Sequence, residues 1–145
     1  MPDTEILQLA ESLRPVLLRL SRQLRRQSEP LGLSAIDVMI LGAILSHEGF
    51  GVCELADHEQ ISRPAMSAHV KRLEAAGFIS RAAPDPADRR RIGLVVTEQG
   101  LKAREDVRQR RNDWLAGRLA TLAPDERAAI EAAIASLARI AEERR

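Results

Sequence analysis

Between Ser62 and Arg91 the chain carries seven basic and three acidic side chains, while the remaining 115 residues carry three more acidic than basic groups. Two clusters make up this local positive surplus. Arg63, Lys71 and Arg72 lie on one segment, spaced by the small residues Ser67, Ala68 and Ala75. Asp88, Arg89, Arg90 and Arg91 form a compact run after Pro84, Asp85 and Pro86. Three consecutive arginines repel one another unless an anion is near. The chemistry they suit is charge-assisted, two-pronged hydrogen bonding to phosphate oxygens and guanine edges. Asp88 can pair with Arg90, closing the loop and aiming the remaining guanidinium groups.

Other chemistries find less support. There is no glycine-rich phosphate loop, no Ser/His/Asp spacing and no isolated carboxylate pair, so neither an enzyme nor a cofactor is expected. His47, His58 and His69 fall on three separate segments, whereas a metal site needs three or four converging ligands. His69 reads instead as a half-buried filler beneath the basic segment. Cys53 is the single cysteine, which excludes an internal disulfide and leaves no second thiol to resolve a sulfenate. It reads as an inert thiol, with a redox gate as the competing interpretation.

The elements that position the clusters follow from periodicity. Apolar residues at 6, 9, 10, 13, 16, 17, 20 and 24 recur in steps of three and four, predicting one amphipathic helix that Pro15 either kinks or splits. Ser34 with Asp37 caps a second helix carrying Ile36, Val38, Ile40, Leu41 and Ile44, apolar on most sides and expected to be central. Short helices over about 52–59 and 63–76, the latter ended by Gly77, form a helix-turn-helix outline. In the second of these, Met66, Val70 and Leu73 share the core side. Ser62, Arg63, Pro64, Ser67, Ala68, Lys71 and Arg72 collect on the start and the opposite side. Small residues there let a helix enter a major groove, and helix-start amides around Ser62 and Arg63 suit a phosphate. Phe78–Ala83 and Ile92–Val96 are β-prone and flank the arginine loop as a hairpin. Thr97 then caps a long helix toward Leu119, with Leu101, Val107, Trp114, Leu115 and Leu119 on its apolar side. A last helix after Pro124 places Ile130, Ile134, Leu137 and Ala141 together.

Composition fits this mostly α plan. The chain has 145 residues, 45% of them apolar, with Phe50, Phe78 and Trp114 the only aromatics, so Leu, Ile, Val and Ala must build the core. No apolar run approaches the roughly 18 to 20 residues of a membrane span, and the start lacks a secretory pattern. A cytoplasmic protein without a membrane partner is expected.

The order helix, helix, helix-turn-helix, hairpin, helix, helix resembles the MarR family of winged helix-turn-helix regulators. The resemblance rests on Glu54-Leu55-Ala56, Ile61-Ser62-Arg63-Pro64, Val70-Lys71-Arg72-Leu73-Glu74, Gly77-Phe78-Ile79-Ser80-Arg81, Asp85-Pro86-Ala87-Asp88-Arg89-Arg90 and Thr97-Glu98-Gln99-Gly100. Val96 stands where the family usually has Leu. Ala123 stands where it often has Ser or Thr, a missing helix cap of about 1 kcal/mol. The resemblance implies a single domain over 1–145, with a DNA-binding lobe at about 34–97 and dimerisation helices at about 3–28 and 98–143. It implies double-stranded DNA and a second copy of the chain as partners, a repressor acting at a pseudo-palindromic operator, Arg90 as wing-tip contact and Asp88 as its support. Relatives release DNA on binding small aromatic or phenolic effectors. Arg14, Arg22, the second helix and Trp114 are candidate walls here, and the effector itself is not readable. A winged helix that docks another protein is the competing class.

Overall fold

The computed structural model describes residues 1, 3–83, 87 and 92–142. Six α-helices and two strands are present among them: α1 (Thr4–Arg26), α2 (Ala35–Ser46), α3 (Val52–Glu59), α4 (Arg63–Ala75), β1 (Ile79–Arg81), β2 (Leu94–Val96), α5 (Glu98–Leu119) and α6 (Pro124–Ala141). They divide into two compact units, Met1–Arg111 and Asn112–Arg145.

In the first unit, α1 runs unbroken through Pro15, so the split expected as one alternative does not occur. A proline removes one interior hydrogen bond, a loss that the rest of this 23-residue helix outlasts. A short 3₁₀ turn at Glu29–Leu31 follows, and buried Ser28 ties it down by donating to the Arg25 carbonyl. The guanidinium groups of Arg110 and Arg111 on α5 donate to the Gln27 and Leu24 carbonyls, closing the end of α1. The capping box at the start of α2 forms as expected: the Ser34 hydroxyl accepts the Asp37 N–H, and the Asp37 carboxylate accepts the Ser34 N–H.

The core of this unit gathers Ile40, Leu41 and Ile44 of α2, Leu55 of α3, the inner side of α4, Ile79, Leu94 and Val96 of the hairpin, and Val107 of α5. α2 is less enclosed than its composition suggests, because Ile36, Met39 and Leu45 are exposed. α1 buries no residue completely, and Ile6, Leu9 and Val16 stand in solvent. Leu101, expected on the apolar side of α5, is also exposed.

The strands pair antiparallel with Ile79 opposite Val96 and Arg81 opposite Leu94. They are shorter than the β-prone runs because Phe78 and Ile92 lie outside the ladder. The Phe78 carbonyl instead accepts from the Thr97 N–H.

In the second unit, the last turns of α5 precede α6. Ala123 caps α6 without a side-chain hydrogen bond, as its methyl requires. Part of the loss is recovered by Glu126, whose carboxylate accepts the Ala123 N–H at 2.8 Å. Ile130, Ile134 and Ile140 of α6 are exposed.

Candidate nucleic-acid interface

α3 and α4 meet at Gln60–Ser62, where Gln60 adopts φ +55° and turns the chain. α4 then opens on Ser62, whose hydroxyl accepts the Ala65 N–H at 3.3 Å. Its inner side is sealed, with Met66, Val70 and Leu73 at 0%, 0% and 1% exposure. Burying three such side chains stabilises the seat of α4 by roughly 1.5 to 3 kcal/mol each. The opposite side stays in solvent: Ser62, Arg63, Pro64, Ala68, Lys71 and Arg72 are exposed, and Ser67 is half-buried. Residues expected together by spacing are therefore together in space, on a surface of small side chains flanked by cations.

At the start of α4, Pro64 has no N–H and that of Ala65 is taken by Ser62. Arg72 reaches away from the solvent side and grips the carboxylate of Asp37, with Nη1 at 2.9 Å and Nη2 on the second oxygen. Asp37 is fully buried, while the Arg72 side chain remains 50% exposed. Burial opposes the charge on Asp37. The hydrogen bonds from Arg72 and Ser34 and the guanidinium charge outweigh that, holding its pKa below the ordinary 3.8. Hydrogen bonding to Asp37 in turn raises the pKa of Arg72. Arg63 lies 3.8 Å from Asp57 of α3, with both side chains mostly in water.

The far end of α4 is held as firmly as its start. Gly77 at φ +84° reverses the chain. The Thr97 hydroxyl donates to the Gly77 carbonyl at 2.5 Å, and Gln99 donates to the Ala76 carbonyl at 3.3 Å. Arg81 of β1 donates to Glu74 of α4 at 3.1 Å. The base of the hairpin joins the α2–α3 loop through the Leu94 N–H and the Phe50 carbonyl, 2.8 Å apart. The expected wing-tip residues Asp88, Arg89, Arg90 and Arg91 lie outside the described residues.

A sequence model described as the MarR family matches residues 31–91. An uncharacterized HTH-type transcriptional regulator of Mycobacterium bovis is 38% identical over 122 residues, 82% of each chain. The chain belongs to the MarR family of helix-turn-helix transcriptional regulators. A crystal structure of a Pseudomonas aeruginosa PA01 protein superposes with a TM-score of 0.81 at 32% identity, covering 99% of this chain and 100% of that one. The fold is also that of a mutant of Staphylococcus aureus MepR bound to an oligodeoxyribonucleotide, with a TM-score of 0.71 at 19% identity, covering 92% and 98% of the two chains.

MarR-family motif residues thus have local physical reasons in this chain. Gly100 is one: a Cβ there would stand 2.2 Å from the Phe78 carbonyl oxygen, so α5 packs against the hairpin only with glycine.

Elsewhere, described residues of the first unit line open clefts. One of about 730 Å³ is bounded by Leu17, Leu20 and Leu24 of α1, Ile36 and Met39 of α2, and Arg111. The neighbouring cleft, about 460 Å³, carries Arg22, Arg25 and Arg26. Of the candidate walls named above, Arg22 and residues of α2 line these spaces, and Arg14 lines neither. Trp114 lies under the Arg118 guanidinium at 5.5 Å. Burial, and then the positive charge of Arg25, lower the pKa of Arg111.

Two groupings escape sequence reasoning. The sequence marks Asp37 as a cap alone, because nothing in linear spacing links position 37 to position 72. His47 and His58, on separate segments, come together with ring centroids 4.5 Å apart, and His47 stacks on Phe50. Among the described residues no three His, Cys, Asp or Glu side chains are placed to hold a metal. Cys53 is exposed on α3. Among the described residues no single helix is long and apolar enough to cross a membrane.

Proposed function

We propose that the protein is a cytoplasmic homodimeric repressor that binds a pseudo-palindromic DNA operator through α4 and the hairpin wing, and is released by a small effector. The observation that carries this reading is the division of α4. One side is sealed by Met66, Val70 and Leu73, and the other presents Arg63, Ala68 and Lys71 to solvent between two fixed ends. A slim, cationic helix surface of this kind fits a B-DNA major groove. Ser62, Pro64 and Ser67 lie along the same path. Arg89, Arg90 and Arg91, steadied by Asp88, would enter the adjacent minor groove from the wing. Arg72 belongs to this surface by position.

Exposed apolar side chains on α1 and on α6 support a dimer, because a solvated stripe of Leu and Ile is costly without cover. A two-fold pair would present two copies of α4 about one helical turn of DNA apart. Bound to a promoter, such a pair would block access to it. The larger cleft, apolar but edged by Arg25 and Arg111, suits an aromatic or phenolic acid.

The test is selection of duplexes from a random pool by the purified chain, followed by titration of the selected duplex at rising salt. Recovery of an inverted repeat, with affinity falling steeply as salt rises, supports the reading, since phosphate contacts release counterions. Failure to bind any duplex at low ionic strength overturns it and favours the protein-docking class.

A further inference from the structure

Within the DNA-binding surface, Arg72 stands apart by what it holds. Its two terminal nitrogens take both oxygens of Asp37, the only charged side chain that is wholly buried among the described residues. The same carboxylate accepts the Ser34 N–H at 2.8 Å and so fixes the first turn of α2. His69, one turn before Arg72 on α4, places its Nδ1 3.2 Å from Arg72 Nη2. One buried charge therefore joins the start of α2 to the middle of α4. A planar guanidinium engaged on both prongs has little freedom to turn toward a phosphate or a base.

Resting on the DNA-binding reading above, we propose that Arg72 is a positioning residue: through Asp37 it sets how α4 sits on α2, and it does not itself contact DNA. Hydrophobic packing by Met66, Val70 and Leu73 fixes which side of α4 faces inward. It resists rotation less well, because such contacts are non-directional. The two-pronged ion pair supplies direction, and it lies level with Lys71, whose side chain points to solvent. Asp37, on a different helix and fully buried, thereby governs DNA affinity from a place no DNA atom reaches.

The experiment compares wild type with Asp37→Asn, Arg72→Gln, Arg72→Lys and the double variant Asp37→Asn/Arg72→Gln, using the duplex recovered by selection. Stoichiometric titration fixes the binding-competent fraction, so a partly unfolded sample does not mimic weak affinity. Circular dichroism melting confirms the fold of each variant. Positioning predicts that Asp37→Asn and Arg72→Gln each weaken binding by roughly ten-fold, and that the double variant is no worse than either alone. It also predicts a salt slope equal to wild type in all of them, because no phosphate contact is lost. Arg72→Lys keeps the charge but loses the fork, and is expected to fall with Arg72→Gln.

The inference is overturned if Asp37→Asn binds as wild type while Arg72→Gln weakens binding and flattens the slope by about one unit per contact. Retention of wild-type affinity by Arg72→Lys would overturn it equally. Failure of the DNA-binding reading looks different, since the wild type itself would then bind no duplex.

Discussion

The Thr97 hydroxyl donates to the Gly77 carbonyl at 2.5 Å while accepting the Gly100 N–H at 3.1 Å, so one side chain ties the end of α4 to the start of α5. Thr97→Val keeps the shape and removes both hydrogen bonds. It also leaves a half-buried carbonyl and a helix-start amide without their partner. A loss of about 1 to 3 kcal/mol is expected from these two effects. Urea unfolding of wild type and variant measures it, and equal midpoints would show that water replaces the hydroxyl at no cost.

Gly100→Ala tests the same junction sterically. The added methyl would lie 2.2 Å from the Phe78 carbonyl oxygen and 2.7 Å from Val96 Cγ1, neither of which can yield without moving the hairpin. Overpacking against backbone costs about 1 to 3 kcal/mol or more. The variant should therefore melt several degrees below wild type. Duplex binding measured well below that melting point should weaken too, because the wing springs from the displaced strands.

These two residues show why much of this fold could be read from the chain. Helix starts at Ser34, Ser62 and Thr97 and the stop at Gly77 are local signals, written within three or four residues, and each forms the hydrogen bond or turn its type implies. Pairings across the sequence carry no such mark. Asp37 meets Arg72 across 35 positions and His47 meets His58 across two elements, and only tertiary packing brings them together. Ile36 departs from expectation for a related reason. An all-round apolar helix reads as buried, yet here part of α2 faces an open cleft. The solvent side of α4 was legible because its inner residues fix it by helical period. The reach of Arg72 back to α2 was not, since a long side chain chooses its partner by proximity.

Acid should weaken the α2–α4 junction through Asp37. Its pKa is held below 3.8 in the folded chain, so folding favours the charged form. The stability this contributes is fully present above the unfolded value and is lost as pH falls through the lower, folded value. The gap in unfolding free energy between wild type and Asp37→Asn should stay constant from pH 7 to about 5 and narrow below pH 3.8. A gap that persists unchanged to pH 2 would mean that folding does not lower the pKa of Asp37.

Arg63 stands at the start of α4, only loosely tied to Asp57 at 3.8 Å, and in the proposed DNA-binding reading it is the α4 cation that reads sequence. An exposed pair of this kind contributes less than about 1 kcal/mol and is easily exchanged for a base edge. Arg63→Ala should relax preference at one base position in each half-site, with discrimination there falling by about 1 to 3 kcal/mol. Arg90→Ala should instead weaken all sequences alike and flatten the salt slope by about 1 to 2 units for a dimer. Selection and salt titration run on both variants distinguish the roles. An unchanged base preference would remove Arg63 from the readout, and an unaltered slope would place Arg90 off the DNA.

Self-association can be tested on α6, where Ile134 is 59% exposed beside Ile130. If a second copy covers this stripe, two-fold symmetry makes one substitution count twice. Ile134→Glu would lose about 1.5 to 3 kcal/mol of apolar burial per copy and would bring two carboxylates into the interface. The dimer dissociation constant should rise by roughly 100-fold or more. Sedimentation velocity over a range of concentrations reads this directly, and Leu9→Glu on α1 asks the same of the other exposed stripe. A fall in melting temperature should accompany the loss of the dimer, because association stabilises the folded state by mass action. DNA affinity should drop in parallel, since each α4 would then have to bind its half-site alone. Were Ile134→Glu and Leu9→Glu to sediment as wild type, neither stripe would lie in an interface between copies.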